Sequence, residues 1–182
     1  KIGNLRFAIS LSECAEIAVN TINSDWELVS RSELPHSNYY LRGLFSGGTL
    51  AYESLLGLQA NLTPIFSNAP ITNYQLLKDP LHSEAHTIID LGDEFFMVGR
   101  LHPMIDNDLR IRRMKQEAAD PEVGMILLDV VLGEGSHMDP AAELVPVIKE
   151  IREKRIGKLE FVAMVIGTDE DPQNLQSQVD QL

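Results

Sequence analysis

Ser46-Gly47-Gly48-Thr49 stands where a short apolar run, Leu41–Phe45, passes into a helical pattern. A strand that turns through glycine into a helix leaves the first helical N–H groups without partners, and they carry about half a positive charge. Glycines at the junction let an anion approach the backbone closely, so the segment reads as a cradle for phosphate or carboxylate. A second glycine loop, Gly133-Glu134-Gly135-Ser136-His137, follows the apolar run Met125–Leu132 and precedes Pro140, which suits the first turn of a helix. If both loops leave one edge of a sheet, two helix N-termini converge on a single anion without a lysine. The candidate anion-binding residues are therefore Ser46, Gly47, Gly48, Thr49, Gly133, Gly135, Ser136 and His137. Arg100 and His102, in Arg100-Leu101-His102-Pro103, are candidate substrate contacts, because a guanidinium forks onto carboxylate or phosphate.

Each of these patterns has a plainer counterpart. A Ser-Gly-Gly-Thr turn joins strand to helix in many parallel sheets, and a histidine in a glycine loop is often a surface hydrogen-bonding residue. No side chain stands out as a catalytic acid, base or nucleophile. His82 and His86 are four apart but lie in an irregular stretch after Pro80, so no metal is expected. No Walker loop and no Gly-x-Gly-x-x-Gly occurs, which argues against nucleotide binding by this segment alone.

The elements that must position these residues can be read from periodicity. Strands are expected at Tyr39–Phe45, Thr87–Leu91, Met125–Leu132 and Glu160–Ile166. The third is apolar on both faces, as a central parallel strand is. Helices are expected from Gly48 to Leu58, from an Asp106-Asn107-Asp108 cap to Ala119, from Pro140 to Lys154, and after Pro172. Residues 60–86, with Pro64, Pro70 and Pro80, read as irregular apart from a short helix near Tyr74–Leu77. The order β-α-β-α-β-α-β-α implies an α/β fold, a parallel sheet with right-handed crossovers and helices on both faces.

Residues 1–38 form a separate section, expected as a helix from Ser10 or Ser12 to Ile22 and a polar linker leading in from a preceding segment. Residues 39–182 form the main domain, whose last helix looks cut short, as in a piece of a longer polypeptide. Net charge is −12 with 15 basic and 27 acidic residues, and that field repels nucleic acid and anionic membranes. No run approaches the ~20 apolar residues that span a bilayer. The single Cys14 cannot form an internal disulfide, which fits a cytoplasmic location.

Ser46-Gly47-Gly48-Thr49-Leu50-Ala51-Tyr52-Glu53 resembles a segment of the succinyl-CoA synthetase α subunit. Together with Ser67–Pro70, Asp90–Asp93, Gly99–Asp106 and Leu128–Pro140, it is closer still to the FdrA proteins, an acyl-CoA synthetase-like branch of that superfamily. The resemblance covers most of residues 39–172. It implies a flavodoxin-like CoA-ligase domain, in which Ser46–Thr49 is the anion-binding end of a so-called power helix and Gly133–His137 a second wall of the pocket. The synthetases carry a phosphohistidine after their fourth strand, where this chain reads Gly167-Thr168-Asp169-Glu170-Asp171-Pro172. The expectation is an FdrA-type protein binding phosphate or a carboxylate without that histidine.

Two alternatives stand beside this expectation. FdrA-type proteins resemble one subunit of an oxamate carbamoyltransferase that uses carbamoyl phosphate in allantoin catabolism. The domain could instead be a non-catalytic anion-binding or assembly module. No cofactor is expected in this segment, and CoA or a nucleotide is left to the full-length protein. The expected partners are a small anionic substrate and other domains or subunits of the same enzyme.

Overall fold

The computed structural model describes residues 5–7, Ile17 and 39–182. Its sheet is built around β5 (Val123–Val131), nine residues of which Met125–Val130 are buried. β2 (Tyr40–Phe45) pairs with β5 on one side, placing Leu44 opposite Leu128, and β6 (Glu160–Ile166) pairs on the other, placing Leu128 opposite Ala163. Beyond β2 lie β4 (His86–Asp90) and then β3 (Ile65–Ser67). Beyond β6 lies β1 (Leu5–Phe7). All six strands are parallel, in the order β1-β6-β5-β2-β4-β3. The α/β, flavodoxin-like expectation therefore holds.

Helices cover both faces, as runs apolar on both sides require. α1 (Gly48–Leu58) buries Ala51, Leu55 and Leu58 against Leu41, Phe45, Met125 and Leu127. Ile17, which is helical, packs into this same cluster. On the opposite face, α3 (Asp108–Ala119) and α4 (Pro140–Lys154) pack Met114, Leu144 and Ile148 against Leu44, Ile126 and Leu128. The two short helices are α2 (Glu94–Met97) and α5 (Leu175–Gln181). α4 starts as its sequence predicts, with Asp139 as N-cap, Pro140 in the first turn, and Arg152 and Lys154 in the last turn.

α3 is the exception to apolar packing. Its buried stripe is Arg110, Arg113, Met114, Glu117 and Ala118, so three of five core-facing positions are charged. Their partners come from distant segments. Arg42 Nε on β2 lies 2.8 Å from Glu117 Oε2, and Arg113 Nε lies 2.5 Å from Glu117 Oε1, which also accepts from Ser83 Oγ.

Two features depart from the sequence reading. Residues 60–86 contain the parallel strand β3 and a 3₁₀ turn at Asn73–Gln75 in place of a short helix. The leading section contributes β1 to the sheet, next to β6. The helix expected at 10–22 and the linker after it fall outside the described residues, Ile17 excepted. No helix among the described residues is long and apolar enough to cross a membrane.

The chain leaves β2 toward β3 on one side of the sheet, and leaves β5 toward β6 on the other. Strand order thus reverses between β2 and β5, and ligands in open α/β sheets bind beyond the carboxyl ends of the strands at such a point.

Candidate functional site

Directly at this reversal, Ser46 follows the last residue of β2 and is 1% exposed. Its N–H donates to Asp129 Oδ1 at 2.8 Å and its hydroxyl to Asp129 Oδ2 at 2.5 Å. Asp129, on β5, is fully buried and is neutralised by Arg110, whose Nη2 lies 3.0 Å from Oδ1 and whose Nη1 donates to the Asp129 carbonyl. Burial pushes the Arg110 pKa down, opposed by the Asp129 charge. Both donors of Ser46 are engaged inside the protein. The residue anchors the turn.

The rim above this anchor is formed by the start of α1. Gly47 is the N-cap in extended backbone, it brings no side-chain cap, and the first turn holds no acidic residue. The N–H groups here lack the usual protein partner for a helix start. Gly48 and Thr49 follow, Thr49 being exposed.

Against this helix end stands a carboxyl that the sequence reading did not single out. Asp90 closes β4, the neighbour of β2, and is 8% exposed. Its Oδ1 accepts from Gly92 N–H at 2.8 Å, and its backbone N–H and carbonyl are both held by the Asn68 amide at 2.9 Å. Its Oδ2 lies 2.9 Å from where a Cβ on Gly48 would sit. Burial raises the Asp90 pKa, with Asp93 and Asp129 adding to the rise and Gly92 N–H and His102 opposing it.

His102 reaches the same spot. A Cβ on Gly92 would meet Ser46 O at 2.8 Å, His102 Nε2 at 2.9 Å and Asp90 Oδ1 at 3.2 Å. Glycine at 48 and 92 is thus required by the side chains gathered around α1's first turn. His102 Nδ1 accepts from Met104 N–H at 3.2 Å, which leaves Nε2 for the rim. The arrangement can hold an oxyanion on backbone N–H groups and a proton on an adjacent carboxyl or imidazole.

The second loop is built differently. Gly133 (φ +133°) and Gly135 (φ +82°) make the sharp turn that glycine favours. Gln173 then locks the loop, accepting from Gly133 N–H at 3.1 Å and donating to the carbonyls of Gly133 and His137 at 2.9 and 3.1 Å. Asp139 accepts from Ala142 N–H, and Gln178 of α5 accepts from Ala141 N–H at 3.0 Å, so protein groups already fill the N-terminus of α4.

His137 is held as well. Nδ1 accepts from Asp139 N–H at 3.1 Å, and Nε2 lies 3.3 Å from Glu143 Oε1. Ser136 N–H closes a turn onto Gly133 O. Arg100 is exposed and pairs with Asp108 at 3.5 Å. The link between the two loops is the segment after Arg100, since His137 N–H donates to Met104 O at 2.7 Å.

The turn after β6 is closed too, with Asp171 Oδ2 accepting from Thr168 N–H at 2.6 Å. Asp129 could have been found from sequence, as the one acid within the otherwise apolar run of β5.

The model of a family described as CoA-ligase matches residues 44–182, which includes all of these rim loops. The chain is also similar to "Uncharacterized protein YahF" of Escherichia coli (strain K12), with 39% identity over 163 residues. That match covers 88% of this chain and 32% of the curated relative, so the chain spans less than half of its length.

Proposed function

The chain belongs to the CoA-ligase family, and from that premise we propose that its β2–α1 junction binds phosphate or a small carboxylate. The observation that carries this reading is the uncapped start of α1, at the carboxyl edge of the sheet beside Asp90 and His102. Gly47, Gly48 and Thr49 supply the N–H groups, and Ser46 holds them in place through Asp129. The wall formed by Gly133–His137 shapes the rim without offering a second helix end. The finer assignment within the family is the FdrA type, on the motifs quoted above.

An anion held this way is the phosphate of a substrate, because the turn that matches the phosphohistidine segment reads Gly167–Pro172, with Asp171 occupied by Thr168. That same observation favours, as a second reading, a carbamoyltransferase component that holds carbamoyl phosphate. Charge developing on a leaving phosphate would be stabilised by the α1 N–H groups. Other domains or subunits of the same enzyme complete it in either case. Val98, Leu101 and Met138, exposed around the rim, give them an apolar surface to cover.

The binding test is a titration of the full-length protein with phosphate or carbamoyl phosphate, read at the Gly47–Thr49 amides by NMR. Saturable shifts confined to that junction are expected, and no response there would overturn the reading. Turnover assays separate the two chemistries. Consumption of carbamoyl phosphate with oxamate supports the transferase, whereas consumption of succinate, CoA and ATP with phosphate incorporated into the protein excludes it.

A further inference from the structure

We propose that Asp90 takes part in this site as a neutral carboxyl, donating its proton from Oδ2 to the anion at the start of α1, so that one proton is taken up with each anion bound. The proposal rests on the anion-binding reading above. Its own support is the placement of the carboxyl. Asp90 is more than nine-tenths buried, Oδ1 is occupied by Gly92 N–H, and Oδ2 has no hydrogen-bond partner among the described residues while facing Gly48.

The carboxyl is also fixed from behind, because the Asn68 amide holds both backbone groups of Asp90. Gly92 N–H holds the carboxyl itself through Oδ1. An ionised Asp90 would put its own negative charge where the ligand's must go, and the two would exclude each other. A protonated Asp90 turns the same oxygen into a donor that adds to the helix N–H groups.

The charged and titratable groups facing it are Asp93 from the α2 cap, Asp129 from β5 (already neutralised by Arg110) and His102 from the 98–106 loop. Two of these are acids, and both favour the neutral form. The Gly92 N–H and His102 oppose it. The ligand class that follows is a small, fully ionised oxyanion with no proton to contribute, such as a phosphate ester or acyl phosphate dianion.

Sulfate is the appropriate probe, since it does not titrate in the working range. Its affinity for the full-length protein would be measured by calorimetry from about pH 4 to about pH 8, in buffers of differing ionisation enthalpy. The expected result is one proton taken up per sulfate, and an affinity that falls by up to about tenfold per pH unit above the ionisation of Asp90.

Asp90→Asn, whose amide keeps a donor, should bind sulfate with a flat pH profile over that limb. His102→Gln should keep the limb. An Asp90→Asn protein that retains the wild-type dependence, or His102→Gln alone abolishing it, would overturn the proposal while leaving the anion site standing. Absence of sulfate binding at every pH would overturn both. If Asp90→Asn does not fold, carbon NMR of the Asp90 carboxyl decides. Sulfate must raise its titration midpoint, and an unmoved midpoint rejects the assignment.

Discussion

Ser46 gives both of its donors to Asp129, the N–H at 2.8 Å and the hydroxyl at 2.5 Å, so one buried acid fixes the residue that follows β2, where the chain first bends toward α1. Arg110 balances the charge at 3.0 Å. Asp129→Ala strands that guanidinium in the interior and should destabilise the protein by about 3–5 kcal/mol. Asp129→Asn, which still accepts the Ser46 N–H, should cost less. Urea unfolding of the two variants checks the order, and equal losses would mean that the charge on Asp129 contributes nothing.

The Arg42–Glu117 pair predicts an asymmetry. Glu117 serves Arg42, Arg113 and Ser83, whereas Arg42 also has Asp120 at 3.2 Å. Glu117→Ala uncovers two buried cations and should cost about 3–5 kcal/mol or more, and Arg42→Met about 1–3 kcal/mol. Denaturant midpoints showing the reverse order would contradict this account of the α3 stripe.

Acid sensitivity should trace in part to His86. Burial, with Arg42 nearby, lowers its pKa to about 4 from 6.5. The unfolded chain therefore takes up this proton before the folded one does. The stabilisation is fully present above about pH 6.5 and is lost as pH falls toward 4. His86→Asn keeps an acceptor for Leu41 N–H, which His86 Nδ1 takes at 3.1 Å. The wild-type melting temperature should fall more steeply than the variant's over this window, and parallel slopes would remove His86 from the explanation.

Gly92→Ala tests the crowding at the rim. The added methyl meets a backbone oxygen, Ser46 O, at 2.8 Å and so cannot be accommodated by a rotamer change alone. A loss of about 1–3 kcal/mol is expected, as for overpacking in general. Weakened phosphate binding at Gly47–Thr49 should accompany it. Wild-type stability and binding in this variant would show that the rim is looser than the geometry implies.

The sheet was legible because β5 and its neighbours are apolar on both faces and their ends are marked by glycine. The α4 cap was legible for a local reason, Asp139 next to Pro140. The partners of charged residues were not. Arg110, Arg113 and Glu117 have helical spacing, but a charged stripe reads as solvated unless the acids and cations opposite are known, and Arg42 is 75 residues from Glu117. The closure of α4 by Gln178 was hidden for the same reason, since that residue arrives from α5 after another strand. The start of α1 was found from its glycines, while the Asp90 carboxyl above it came into view only when β4 was placed beside β2.

β3 also sets how the molecule meets others of its kind. The strand is three residues long and preceded by Pro64, and the outer side of its last residue is taken by its own chain, with Ser67 bridged to Leu76 and Ser67 O accepting from Leu77 N–H. A row of open backbone groups would be a template for adding a strand from a second molecule. Here the row is only three residues long and its last, Ser67, is already engaged, which leaves a short template for a strand from a second molecule at this border.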